Sequence, residues 1–396
     1  MPINQEDKAY IRDKFAAMQT KEDLVNLLSE AKDMRYRERT KPFKLNYFTY
    51  YANPKLCKQR YKTFTISKKS GGQRVIHAPV MGLNFLLQSV NFVLNCMYEP
   101  HKAATGFVPE KSIVDNARGH AEKPFVYNID LQDFFHSFGK PRVKYGFMRS
   151  PFNLNGDREY LAFLLASLCT HPFEVNGEVK RVLPMGSPTS PTITNILCHT
   201  LDRRLNGLAK RFGATYSRYA DDITFSSIHN IYRKKDFQKE LYRIVEANQG
   251  LKIKPEKTRL QKEGYRKEAT GLVVNEKVNV KRRYVKDLRK WLYLWEKYGN
   301  EKAQQLFTKD YVADKGHVKK GEPNLENVLD GKLDFMKMVK GVQDGTYLKL
   351  RDRFDKLTQQ SSTSNSKKVS LDDVLDTILN QGLIQGIDLY QKLRKP

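Results

Sequence analysis

Hydrophobic and polar positions change period several times along the chain. Residues 5–38 follow helical spacing, with Thr20 and Asp23 resembling a capping box and Leu24, Leu27 and Leu28 forming one apolar face. YKTFTISKKSGGQRVIHAP (61–79) reads as strand, turn at Gly71-Gly72, strand. Helical periodicity returns over 83–98. PFVYNIDL (124–131) is β-branched and aromatic, which suits a buried strand. Helices are predicted over 158–170 and 192–211. YSRYADDITFS (216–226) reads as a hairpin with Asp221-Asp222 at its turn, and a helix over about 234–249 precedes GLKIKPEKTRL.

Beyond residue 280 the pattern is almost wholly helical. Leu288, Trp291, Leu292 and Trp295 share one face, and Gly299 suits a C-terminal stop. QQSSTSNSKK (359–368) is linker-like, and Ser370 with Asp373 suggests one more capped helix. No internal repeat is visible. Strands separated by helices, with a hairpin at the centre, argue against a doubly wound parallel sheet. They predict an α+β fold with an antiparallel sheet and helices packed on one side.

Charge narrows the partners. Seventy Lys and Arg against 44 Asp and Glu give a formal charge of +26, and a polyanion gains by releasing counterions to such a surface. Residues 41–80 hold Lys41, Lys44, Lys55, Lys58, Arg60, Lys62, Lys68, Lys69 and Arg74 and no acid. Phe43, Tyr47, Phe48, Tyr50, Tyr51, Tyr61 and Phe64 lie among them, so cations for phosphates alternate with rings for bases. Cys57, Cys96, Cys169 and Cys198 are scattered without zinc spacing and read as buried thiols in a reducing compartment. MPINQEDKAYIRDKF is too polar for a signal peptide, and YLAFLLASLC is too short to span a bilayer, which predicts a cytoplasmic protein.

The carboxylates carry the candidate chemistry. Asp130 ends a strand-like run, and Asp221 and Asp222 occupy a turn between two more. As neighbours in one sheet, the three would converge and repel. Hard divalent ions with oxygen ligands, Mg²⁺ above all, answer that repulsion. A bare Asp-Asp in a basic protein is first of all an exposed turn, held by water or a basic partner. The apolar flanks Tyr219, Ala220, Ile223 and Phe225 shift the balance toward a site.

RYADDITFS (218–226) resembles the Tyr-x-Asp-Asp box of reverse transcriptases, in the form usual for bacterial retron enzymes. Companion blocks follow in family order. SKKSGGQRVIHAP (67–79) resembles the fingers hairpin, ATGFVPEKSIVDNA (104–117) the second shared block, and NIDLQDFFHSF (128–138) the first palm carboxylate box. LPMGSPTSPTITN (183–195) resembles the Gly-x-Pro-x-Ser-Pro loop and helix, with Met185 where the family usually has Gln. GLKIKPEKT (250–258) resembles the block bearing the family lysine. DNARGH (115–120) is similar to the retron Asn-Ala-x-x-His element, and ATGLVV (269–274) to its Val-Thr-Gly element with Ala269 in place of valine. One such motif recurs by chance; six in order are specific.

The resemblance implies a right-hand polymerase fold. Residues 1–50 would be an N-terminal helical extension, 51–125 fingers, and 126–280 the palm, with part of the fingers at about 140–180. Residues 281–358 would be a helical thumb, and 359–396 a linker and tail. It implies that Asp130, Asp221 and Asp222 bind two Mg²⁺, replaceable by Mn²⁺, with the Leu131 carbonyl as an extra ligand. Lys68, Lys69 and Arg74 would clamp the triphosphate, Phe135 would exclude a ribose 2′-hydroxyl, Gly186 would let backbone approach the nucleotide, and Lys257 would serve departing pyrophosphate. Asn116, His120, Thr270, Gly271, Lys281, Arg282 and Arg283 would contact RNA.

The function implied is RNA-directed DNA synthesis on a structured noncoding RNA, primed from a guanosine 2′-OH and yielding branched msDNA. The substrates would be dNTPs, with an effector protein and anti-phage defence as the setting. Three other readings compete: a group II intron-like or abortive-infection reverse transcriptase, a silent RNA-binding scaffold, and a metal-dependent nuclease. No Cys/His-bearing endonuclease tail follows the thumb region, the full set of carboxylates disfavours the scaffold, and the loop and fingers blocks have no role in a nuclease.

Overall fold

Helix α1 (Gln5–Ala17) starts because the Asn4 side chain accepts the Asp7 N–H at 2.6 Å. Helix α2 (Lys21–Tyr36) starts from the expected capping box, in which Thr20 and Asp23 satisfy each other's backbone N–H at 2.8 and 3.1 Å. These elements belong to a computed structural model that describes residues 3–67, 71–175, 177–315 and 321–365, together with Thr377 and Gln385. Lys68, Lys69 and the helix expected from Ser370 and Asp373 lie outside the described residues.

A short helix α3 (Leu45–Ala52) leads to the exposed hairpin of β1 (Tyr61–Ser67) and β2 (Gln73–Pro79), paired antiparallel from Tyr61↔Pro79 to Ser67↔Gln73. Helix α4 (Met81–Met97) buries Leu83, Leu86, Leu87, Val90 and Leu94 against α1 and α2. After α5 (Ile113–Arg118) the chain enters β3 (Phe125–Gln132), the centre of the main sheet. Then come α6 (Lys140–Met148), α7 (Glu159–Cys169), a hairpin of β4 (His171–Val175) and β5 (Glu178–Val182), and the helices α8 (Ser190–Leu197) and α9 (His199–Arg211). The predicted 192–211 helix is thus two, divided at Cys198.

Strands β6 (Ala214–Tyr219) and β7 (Asp222–Ser227) form the predicted hairpin. Helix α10 (Lys235–Tyr242), continued by a π-turn to Ala247, precedes β8 (Lys252–Ile253), β9 (Arg259–Gln261) and a small hairpin of β10 (Glu268–Ala269) and β11 (Leu272–Val273). The main sheet runs β6-β7-β3-β8, with β9 also on β3, and every pair is antiparallel. Alternation decides its two faces. Tyr127, Ile129 and Leu131 of β3 and Ile223 and Phe225 of β7 enter one core with Leu205, Leu208, Phe237 and Leu241 of the helices. Asn128, Asp130, Asp222, Thr224 and Ser226 take the opposite face. The α+β expectation with an antiparallel sheet holds, but helices are not confined to one side: α5 packs on β6, and His120 just beyond it is buried against Ser217 and Ser226 on the opposite face.

The chain divides into two compact units, Met1–Val278 and Asn279–Pro396. The second is helical: α11 (Arg282–Lys315), α12 (Leu325–Lys340) and α13 (Gly345–Asn365). Leu288, Trp291, Leu292 and Trp295 are its core, as their spacing predicts, with Phe307, Leu329, Leu333 and Phe354. Gly299 does interrupt the helix, at φ 79° and ψ 168°, but helix resumes directly after it. The linker-like composition at 359–368 misleads in part, since residues 359–365 continue α13. The four cysteines are free and buried, and no helix among the described residues is long and apolar enough to cross a membrane.

Candidate active site

Register brings the acids together. Asp130 on β3 lies directly opposite Asp222 on β7, and opposed residues of an antiparallel pair hold their Cβ atoms about 5 Å apart. Asp221 sits beside them in the β6–β7 turn, where the Leu131 N–H donates to its carbonyl at 3.0 Å. The Lys254 N–H donates to the Asp130 carbonyl at 2.9 Å, closing the other side. The turn is tight: Ala220 has φ 57°, an uncommon conformation for a residue with a side chain.

A buried framework holds that turn. Arg218 and Asp202 are both fully buried and paired through two contacts of 2.7 Å. Arg218 also donates to the Ala220 carbonyl and to Asn195 Oδ1, both at 3.0 Å, and the Tyr216 hydroxyl donates to Asp202 at 2.7 Å. Asn195 in turn donates to the Gly106 carbonyl at 2.9 Å. Gly106 lies under the turn, where a Cβ would stand 2.5 Å from the Ala220 nitrogen. Only glycine permits that approach. The sequence expectations give no role to Arg218, Asp202, Asn195 or Gly106. Asp202 did carry a signal, being charged between Leu201 and Leu205 on a helix whose apolar residues face the core.

The electrostatics are unfavourable without a cation. Burial, and then repulsion from Asp221 and Asp130, pushes the Asp222 carboxyl up to about 7. Asp221 is also raised, by burial first and by Asp130 as well, while Lys257 and Arg74 act in the opposite sense. Lys257 places its ammonium 2.9 and 3.1 Å from the two Asp130 oxygens, and Arg259 favours ionised Asp222. Among the described residues no set of three or more His, Cys, Asp or Glu side chains is arranged to hold a metal ion as it stands. The donor chemistry nonetheless fits a hard divalent cation, because the acids offer oxygen ligands and their mutual repulsion is only partly offset by lysine and arginine.

The remaining expected residues fall in different places. Arg74, on exposed β2, is near enough to act on Asp221. Phe135 is half-buried just beyond Asp130, with Phe134 at 5.5 Å and Phe107 at 6.3 Å between ring centroids. Gly186, at φ 114°, uses its freedom on the hairpin: a Cβ there would meet the His77 carbonyl at 2.8 Å, and the His77 N–H donates to the Met185 carbonyl at 2.8 Å. Lys281, Arg282 and Arg283 open α11 in the second unit, and Arg282 and Arg283 are exposed.

Two expected RNA contacts need correction. His120 is fully buried, its Nδ1 and Nε2 each 2.7 Å from a serine hydroxyl, Ser226 and Ser217 respectively. Burial drops its pKa to about 3, so the ring is neutral, one serine donating to it and the other accepting. Asn116 is 1% exposed and accepts from the Thr105 hydroxyl at 2.7 Å. Neither reaches a surface where RNA could touch it. Both residues brace the sheet because each finds its polar partners inside. Thr270 and Gly271, both at positive φ, form the two-residue β10–β11 turn; Thr270 is half-buried, its hydroxyl 3.4 Å from both Asn116 and the Ile113 carbonyl, and Gly271 is exposed.

Comparison with known proteins fits this geometry. Residues 66–281 match the family described as reverse transcriptase (RNA-dependent DNA polymerase). The retron Mx162 reverse transcriptase of Myxococcus xanthus is 36% identical over 250 residues, 59% of this chain and 50% of that one. The retron Mx65 reverse transcriptase of the same organism is 33% identical over 291 residues, 71% and 62% of the two chains. The retron Ec86 reverse transcriptase of Escherichia coli is 32% identical over 235 residues, 58% and 68%. The chain thus spans about half to two thirds of the length of these relatives.

Proposed function

The chain belongs to the reverse transcriptase (RNA-dependent DNA polymerase) family, whose domain covers more than half of it, and from that premise we propose that it is the RNA-directed DNA polymerase of a retron. The observation that carries the reading is the register of Asp130 against Asp222, with Asp221 at the same edge of a sheet whose other face is core. The 36% and 33% identities to retron enzymes support the subfamily.

Asp130, Asp221 and Asp222, with the Leu131 carbonyl, would hold Mg²⁺, or Mn²⁺ in its place. Bound there, two such ions would supply Lewis acidity to a primer hydroxyl and charge neutralisation to the phosphates. The chain's own residues do the rest. Arg74, joined by Lys68 and Lys69, orients the triphosphate through charge-assisted hydrogen bonds. Phe135 would exclude a ribose 2′-hydroxyl and so select dNTPs. Lys257, paired with Asp130, would supply a proton or charge to departing pyrophosphate. Lys281, Arg282 and Arg283 grip an RNA backbone, whose charge the +26 chain complements.

In this reading the enzyme works in the cytoplasm on a structured noncoding RNA encoded beside it. It starts from a guanosine 2′-OH and makes branched msDNA, and with an effector protein it serves anti-phage defence. Expressing the gene with its upstream flanking DNA tests the chemistry. Wild type should yield RNA-linked DNA sensitive to debranching enzyme, and Asp221→Asn with Asp222→Asn should yield none. Unbranched product would defeat the retron assignment, and undiminished product from the double variant would defeat the site. Phage plating with both versions of the locus tests the defence role.

A further inference from the structure

Residues 36–47, which lead from the end of α2 into the start of the basic-aromatic stretch, share no residue with the carboxylate site, and they frame an open cavity of about 670 Å³ between α2, α3 and α4. Its walls are fixed from behind. Asp33 accepts both the Thr40 N–H, at 2.8 Å, and the Thr40 hydroxyl, at 2.5 Å. The Ser29 hydroxyl accepts the Phe43 N–H at 2.9 Å. The connection is therefore pinned to α2 on both sides of Lys41.

Rings line the cavity. Phe43 and Tyr47 are nearly parallel, 14° apart in plane with centroids at 6.3 Å. Tyr36 and Phe85 meet edge to face at 6.2 Å and remain 37% and 39% exposed. Cations surround the rings: the Lys32 ammonium lies 4.5 Å over Phe43 and the Arg35 guanidinium 5.0 Å over Tyr36. Lys41 and Lys44 are exposed and have no carboxylate partner among the described residues. Of the nearby acids, Asp33 is engaged by Thr40, which leaves Glu38 on the lining.

We propose that this cavity binds an unpaired nucleotide of a single-stranded nucleic acid, its base against the rings and its flanking phosphates on Lys41 and Lys44. Stacking is open to any base with a free face, whereas duplex bases are shielded. An apolar peptide would use the rings and leave the cations idle. A nucleotide uses both. The site stands apart from the polymerase reading and does not depend on it.

The test uses the full chain and a short fluorescein-labelled oligouridylate, with a blunt RNA duplex as comparison. Lys41→Ala with Lys44→Ala, both on exposed side chains that leave folding intact, should weaken oligouridylate binding by at least about tenfold at low salt, where backbone contacts count most. The double variant should also flatten the log-affinity against log-salt slope by about 1.4, two contacts' worth for a single strand. Phe43→Ala should weaken binding similarly, duplex binding should not change, and 5-iodouridine crosslinks should map to residues 36–47. Unchanged oligouridylate binding in the double-lysine variant overturns the proposal, as does an equal loss for duplex. So does a protein partner that Phe43→Ala releases while oligouridylate binding stays unmoved.

Discussion

Arg218 and Asp202 form a fully buried, doubly bonded ion pair directly beneath the turn that carries Asp221. The guanidinium that neutralises Asp202 also holds the Ala220 carbonyl. One interaction thus joins helix α9 to the geometry of the aspartates.

Breaking that pair from one side leaves an uncompensated charge in the core. Arg218→Met or Asp202→Asn should each cost about 3–5 kcal/mol of stability. Urea denaturation midpoints check this, and a loss below about 1 kcal/mol would show that the pair is dispensable.

Two glycines should respond oppositely to alanine. Gly106→Ala forces a Cβ to 2.5 Å from the Ala220 nitrogen, so the turn must move. DNA synthesis on a primer-template should fall about a hundredfold, since a shift of roughly 1 Å at a reacting centre costs that much. Gly207, within α9, has nothing within 4 Å of its virtual Cβ. Gly207→Ala should leave synthesis unchanged and add about 0.5–1 kcal/mol of stability. Primer extension with parallel melting curves separates the two.

His120 makes stability depend on pH. Its folded pKa, about 3, lies below the unfolded value near 6.5, so between those values the unfolded chain takes up a proton that the folded one refuses. The contribution is complete above about pH 6.5. It declines by up to about 1.4 kcal/mol per unit as pH falls towards 3. The slope of wild type minus His120→Asn, from urea unfolding across that range, measures it. A flat difference would show that His120 is accessible to protons in the fold.

Asp222 works against the stability of the sheet that carries it. Because its carboxyl is raised to about 7, ionising it costs stability, and that cost grows as pH rises from about 4 to about 7. In EDTA above neutral pH, Asp222→Asn should therefore melt at a higher temperature than wild type while its DNA synthesis is lost. A lower melting temperature for the variant would show that the carboxylate is already neutralised in the metal-free protein.

The residues that announced themselves in the sequence did so through local pattern. Alternation along PFVYNIDL and RYADDITFS places Asp130 and Asp222 on one face, and the capping box at Thr20 needs only three residues. What stayed hidden depends on distant partners. Arg218 carries no local mark, because its partner Asp202 lies sixteen residues earlier on another element. His120 and Asn116 read as exposed polar groups because nothing nearby in sequence foretells the hydroxyls of Ser217, Ser226 and Thr105. The β4–β5 hairpin lies outside the predicted elements, although Asn-Gly is a dipeptide that favours hairpin turns.

The contact between Gly186 and β2 has a mechanical meaning. The exposed β1–β2 hairpin is moored to the 183–187 loop by the His77–Met185 hydrogen bond, and that loop leads into α8. From α8, Asn195 reaches Arg218, and Arg218 reaches Ala220. Hairpin and aspartates are thereby joined by a short linkage of directional bonds. A hairpin that tilts onto an arriving substrate must either stretch one of these bonds or carry the turn with it, as a lever moves its load.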